Sequence, residues 1–124
     1  MNELDFEKTV EEAVNRIPEP FNNRIDNVQF QTVDEATEQQ KLKLGLRACD
    51  ALFGLYEGVP LPARGGSSHS IVPDVITIFR KPMVDMIPDT EELRKQIYKT
   101  VWHEVAHYFG LNHTRIYAIE KRIS

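Results

Sequence analysis

One cysteine, Cys49, stands in the 124 residues, so no disulfide can staple the chain internally, and such usage suits a reducing cytosol. No apolar run approaches the roughly 20 residues that a helix needs to cross a bilayer. The N-terminal stretch MNELDFEKTVEEAV has neither the basic start nor the apolar core of a secretory signal. A large excess of basic charge is missing as well. The formal net charge is −4, whereas a nucleic-acid surface usually carries a strongly basic face. Together these absences predict a soluble, cytoplasmic protein that engages neither membrane nor nucleic acid. Internal repeats and low-complexity tracts are also lacking.

What is present fits one globular domain over residues 1–124. A chain of this length buries a core without disulfides or metals to hold it together. Apolar residues make up 41% and charged residues 27%, the balance of an ordinary soluble domain rather than a disordered or fibrous one. The charge is unevenly spread: residues 1–50 hold 11 acids and 6 bases, residues 91–124 hold 4 acids and 6 bases. That asymmetry is what solvated helix faces produce, and it leaves the oligomeric state open.

Periodicity divides the chain into elements. Phe6, Val10, Ala13, Val14 and Ile17 recur at three- and four-residue steps, which predicts an amphipathic helix over 3–17, stopped by Pro18 and Pro20. Val28, Phe30 and Thr32 alternate with Gln29 and Gln31, the pattern of a half-buried strand, and the polar run Asp34–Lys41 reads as a loop or frayed helix start. Leu42, Leu46, Cys49, Phe53 and Tyr56 return to helical spacing and predict a second helix, or a helix and turn, interrupted by Gly45 and Gly54. On that stripe Cys49 is expected to be a small core residue. Residues 57–74 are rich in Gly, Pro and Ser and predict a long loop. Val75–Phe79 reads as a strand ending at or before Pro82. Asp89, three residues before Glu92, opens a long helix whose stripe is Leu93, Ile97, Val101, Val105 and Phe109 and whose end is Gly110. Ile116, Ile119 and Ile123 then predict a short last helix.

Inside the long helix runs His103-Glu104-Val105-Ala106-His107-Tyr108-Phe109-Gly110-Leu111-Asn112-His113. At about 100° per residue, His103 and His107 lie about 40° apart and one turn along, so both imidazoles can reach one ion. Catalytic zinc takes three protein ligands and keeps a fourth position open. Gly110 permits the chain to reverse, and His113, three residues on, can supply the third ligand. Glu104 projects beside the pair, where a carboxylate can act as a general base towards water. A bare His-Glu-x-x-His also arises by chance on solvated helix faces. Here three of the four histidines fall within eleven residues, and the only acid after His107 is Glu120.

These residues resemble the zincins, which share the extended His-Glu-x-x-His-x-x-Gly-x-x-His motif, and more closely the small bacterial zincin-like metallopeptidases called minimal zincins. The closer likeness includes Phe53-Gly54-Leu55-Tyr56-Glu57-Gly58-Val59-Pro60-Leu61, the Val75–Arg80 segment and the Arg94–Gly110 helix, and so covers roughly residues 45–123. The resemblance implies a small α+β fold, with a mixed sheet packed on an active-site helix and helices at both termini. It implies zinc held by His103, His107 and His113, Glu104 as base, and a peptide or protein substrate. Zincins pair an extended substrate with the edge strand before the active-site helix, which would give that role to Val75–Phe79. The methionine-bearing turn of the larger metzincins has no counterpart, because no methionine follows Met86. Where this chain has His113, members of the minimal family often carry aspartate, so metal preference or activity can vary among them.

Two other functions compete. A bacterial endoribonuclease family that matures ribosomal RNA is similar in having three histidines at this same spacing with a glycine between the second and third, but it has glycine where this chain has Glu104. Alternatively, zinc could tether the last helix in a non-catalytic binding module. Around the motif, His69 is expected to be a solvated loop residue rather than a substrate contact. Trp102 is expected in the core or behind the ligands, and Asn112 as a cap of the last helix. Tyr117, four residues after His113, is a candidate donor to the oxyanion, although aromatic residues more often pack.

Overall fold

The structure is a computed structural model that describes residues 1–60 and 72–123. It begins with α1 (Glu3–Asn15), capped by Asn2, whose Oδ1 accepts the Asp5 amide at 2.8 Å. Phe6, Val10 and Ala13 form its buried stripe, and Ile17 just beyond it is buried too, as the spacing predicts. A single turn, α2 (Phe21–Arg24), follows the two prolines. Then come β1 (Val28–Val33), α3 (Glu38–Lys43), β2 (Gly54–Glu57), β3 (Asp74–Phe79), α4 (Arg80–Met86), α5 (Thr90–Phe109) and α6 (His113–Ile123). Helices around a small mixed sheet make this an α+β fold of the expected kind.

The sheet has the order β1-β3-β2. β1 runs parallel to β3, from Val28 opposite Asp74 to Val33 opposite Phe79. β2 runs antiparallel to it, from Gly54 opposite Ile78 to Glu57 opposite Val75. This overturns the edge role expected for Val75–Phe79, which is the central strand. Asp74 and Ile76 through Phe79 are all buried, and a continuous β-branched and aromatic run is what burial on both faces requires. Among the described residues, the edge strand beside α5 is β2.

Residues 42–56 also depart from expectation, because no helix carries their stripe. Thr37 and Gln40 form a capping box that starts α3 earlier, within the polar run, and the chain turns left-handed at Gly45 (φ 73°). Leu42 is 71% exposed and Cys49 is exposed. Helical spacing of five apolar residues was here a coincidence between a capped polar helix and a strand. α4 was hidden differently: Pro82 is its third residue, in the first turn, where an amide has no intrahelical partner and its loss costs nothing.

α5 is the axis of the molecule. Asp89 caps it, its Oδ2 accepting the Glu92 amide at 2.9 Å. Leu93, Ile97, Val101 and Val105 are buried with the α1 stripe in one core that also holds Ile76, Ile78 and Met83. At the far end Trp102, 1% exposed, donates its Nε1–H to the Ile116 carbonyl at 3.0 Å. Phe21 packs against both Trp102 and Phe109, with ring centroids 5.4 and 5.2 Å away. The last turns of α5 are thus held from α2 and α6 together, which fixes the direction in which α6 leaves. No helix among the described residues is long and apolar enough to cross a membrane.

Candidate metal centre

The motif occupies the last two turns of α5 and the first residue of α6. His103 and His107, one turn apart, present half-buried imidazoles whose ring centroids are 4.7 Å apart. Gly110 then takes the left-handed conformation at φ 69°, ψ 30°. Its amide bonds to the His107 carbonyl at 3.0 Å, and the Leu111 amide bonds to the Ala106 carbonyl at 3.1 Å. These are the two hydrogen bonds of a Schellman termination, which ends one helix and turns the chain sharply. Asn112 caps the next: its Oδ1 accepts the Arg115 amide at 2.9 Å and its carbonyl accepts the Ile116 amide at 3.0 Å. The expected capping role of Asn112 is what the structure has.

The reversal brings the His113 ring centroid to 6.4 Å from that of His103. One donor atom each from His103, Glu104 and His107 lie within 4.8 Å of one another, a grouping that could hold a metal ion. Imidazole nitrogens with a carboxylate nearby are the donor chemistry that zinc accepts; His113, the expected third ligand, is outside this grouping of described residues. The residues present therefore fit such an ion. His113 itself is exposed, and Tyr117 stacks on it with centroids 6.2 Å apart and ring planes 25° apart.

Glu104 is the buried member, 7% exposed. Its Oε1 lies 3.5 Å from His107 Nδ1. That hydrogen bond raises the His107 pKa above the ordinary imidazole value, against the opposing effect of burial. His103 is pushed the other way, chiefly because burial disfavours its charged form, with Glu104 partly compensating. An imidazole kept neutral by burial is in the form that binds metal. The two histidines are thus made unequal by one carboxylate and the depth of the helix.

A cleft of about 420 Å³ opens beside His103 and Glu104, lined on the helix side by Gln96, Lys99 and Thr100 and on the other by Leu52, Phe53 and Gly54 of the β2 approach. Glu120 of α6 and Met86 of α4 complete it. A larger groove of about 740 Å³ lies between α1 and β1 and touches none of the motif residues. Gly54 and Thr100 are the site residues that sequence reasoning missed. In the sequence Gly54 interrupts an apparent helical spacing, and only a place at the start of an extended segment would suggest close approach. Cys49 does not line the cleft among the described residues, and His69 lies outside them.

A family model described as zincin-like metallopeptidase matches residues 25–123 of the chain. No curated protein matches it.

Proposed function

The chain belongs to the zincin-like metallopeptidase family, and on that premise we propose that it is a zinc-dependent peptidase with His103, His107 and His113 as ligands and Glu104 as general base. The observation that carries this reading is the convergence of His103, Glu104 and His107 within 4.8 Å at the rim of a cleft, with the carboxylate the most buried of the three. A single domain over residues 1–124 holds all of these groups. The family implies a peptide or protein substrate.

Zinc, when bound, supplies a Lewis acid that polarises the scissile carbonyl and acidifies water. The rest falls to the chain. Glu104 removes the proton of the attacking water and returns it to the leaving nitrogen, a role in which a positioned carboxylate contributes about 10²–10⁴-fold. Its Oε1 approaches Nδ1 of His107, so that ring would hold zinc through Nε2. A carboxylate on the remote nitrogen also fixes the tautomer and strengthens the donor. The extended substrate pairs with β2, the strand beside the cleft. The Phe53 carbonyl accepts from the Phe79 amide at 2.9 Å, and the alternation of an antiparallel ladder turns the Gly54 peptide groups to the opposite side.

The test is direct. Purified protein loaded with zinc should hold about one ion per chain and should cleave members of a peptide library while leaving structured RNA intact. Glu104→Gln should keep the zinc and lose about 10²-fold or more in rate. Cleavage of RNA instead of peptide would favour the nuclease reading. Full retention of zinc and stability without any hydrolysis in the parent protein would favour a zinc-tethered binding module.

A further inference from the structure

The first residue of β2 meets α5 where Thr100 and Glu104 face it. We propose that Gly54 is a positioning residue for Glu104, and that the space left by its missing side chain sets where the carboxylate stands. The inference rests on reading Glu104 as the base. A Cβ placed on Gly54 would lie 2.7 Å from Thr100 Cγ2, 3.1 Å from Glu104 Cγ and 3.4 Å from Glu104 Oε2. Carbon atoms in contact prefer about 3.5–4.0 Å, so the first is a collision and the second a compression. Gly54 pairs with Ile78 in ordinary extended backbone, so what glycine supplies there is room.

The surroundings decide which group yields to an added methyl. β2 is tied to β3 through its ladder and the Phe79 to Phe53 bond. α5 is clamped by α1 on one side and by the Trp102 bond to α6 at its end. Thr100 is buried, and its hydroxyl accepts from Gln96 Nε2 at 3.0 Å, which holds its methyl towards Gly54. Thr100 and Glu104 both line the 420 Å³ cleft, but the threonine is branched at Cβ and held by Gln96, whereas the glutamate carboxylate ends a longer side chain that can turn into the open volume. The carboxylate is therefore the part that swings away, off His107 and out of line with the water it must deprotonate.

Three variants test this: Gly54→Ala, Thr100→Ser, and the two combined. Thr100→Ser removes Cγ2 and keeps the hydroxyl, so it is the reference against which the double variant is read. Gly54→Ala should bind zinc as the parent does and lose about 10- to 100-fold in kcat, the scale of a misplaced catalytic group, with KM little changed. A crystal structure of the metal-free Gly54→Ala protein should show Glu104 Oε1 withdrawn from the 3.5 Å contact with His107 Nδ1. The double variant, relieved of the worst clash, should regain most of the lost kcat and the original Glu104 position. A rise in KM at constant kcat would overturn the proposal, because Gly54 would then serve the approach of substrate. An unmoved Glu104 in Gly54→Ala overturns it even if the parent cleaves no peptide, so its failure is separable from that of the peptidase reading. Should Gly54→Ala not fold, the double variant decides. Folding with Glu104 in place supports the steric account, and failure to fold or a displaced Glu104 overturns it.

Discussion

Replacing Gly110 by alanine probes the turn on which the third histidine depends. Gly110 sits at φ 69° and ψ 30°, a conformation that costs a residue with a Cβ roughly 1–2 kcal/mol. The position is exposed, so no packing is lost and the backbone term stands alone. Alanine also stiffens the unfolded chain, but where φ is positive the native-state strain outweighs that gain. The net expectation is about 1 kcal/mol of destabilisation, or roughly 3–6 °C in Tm for a domain of this size. Asparagine tolerates the left-handed region better than alanine does, so Gly110→Asn should fall between the parent and Gly110→Ala. The same strain tends to open the bonds to the His107 and Ala106 carbonyls and to loosen the direction of α6. Zinc affinity, measured by chelator competition, should therefore drop by up to about fivefold, the equivalent of about 1 kcal/mol. Thermal unfolding of the metal-free protein reads the first effect and the competition reads the second. Equal Tm values for the glycine and alanine forms, or asparagine worse than alanine, would refute the reasoning.

Trp102→Phe keeps a ring in the core but deletes the Nε1–H that bonds the Ile116 carbonyl. An orphaned buried acceptor costs about 1–3 kcal/mol, and since α6 carries His113, zinc binding should weaken together with Tm. A lower Tm with unchanged affinity would show that the ligand set does not depend on how α6 is anchored. The histidines give a pH prediction. In metal-free protein His107 titrates above the ordinary value of 6.5 and His103 below it. Stability due to the raised His107 is fully present below pH 6.5 and is lost as pH rises through its folded pKa. The lowered His103 acts oppositely, favouring the fold above pH 6.5 and losing that contribution as pH falls towards its folded pKa. The two offset in unfolding experiments but not in metal uptake, which needs both rings neutral. Zinc affinity should thus begin to fall above pH 6.5 as the pH is lowered. In Glu104→Gln, imidazole proton resonances should report His107 moving down towards the ordinary value, and an unchanged His107 would disprove the Glu104 contact.

The elements legible in the sequence are those whose signal is local. α1, β1, α5 and α6 each carry one periodicity over their whole length, and α5 and α6 also carry their own caps at Asp89, Gly110 and Asn112. The motif benefits twice, because the spacing of His103 and His107 and the stop at Gly110 lie within eleven residues of one chain segment. What failed was non-local. Whether Val75–Phe79 is an edge or a centre depends on which strands arrive beside it, and a run of β-branched residues fits a central strand as well as a buried edge. β2 is four residues long and begins with glycine, so neither alternation nor propensity could distinguish it from the end of a helix. Its glycine, the feature that lowered the expectation of a helix, marks where a strand presses on the buried carboxylate of α5. Such a residue is chosen by a partner 50 positions away, Glu104, and its meaning exists only once the sheet has packed against the helix.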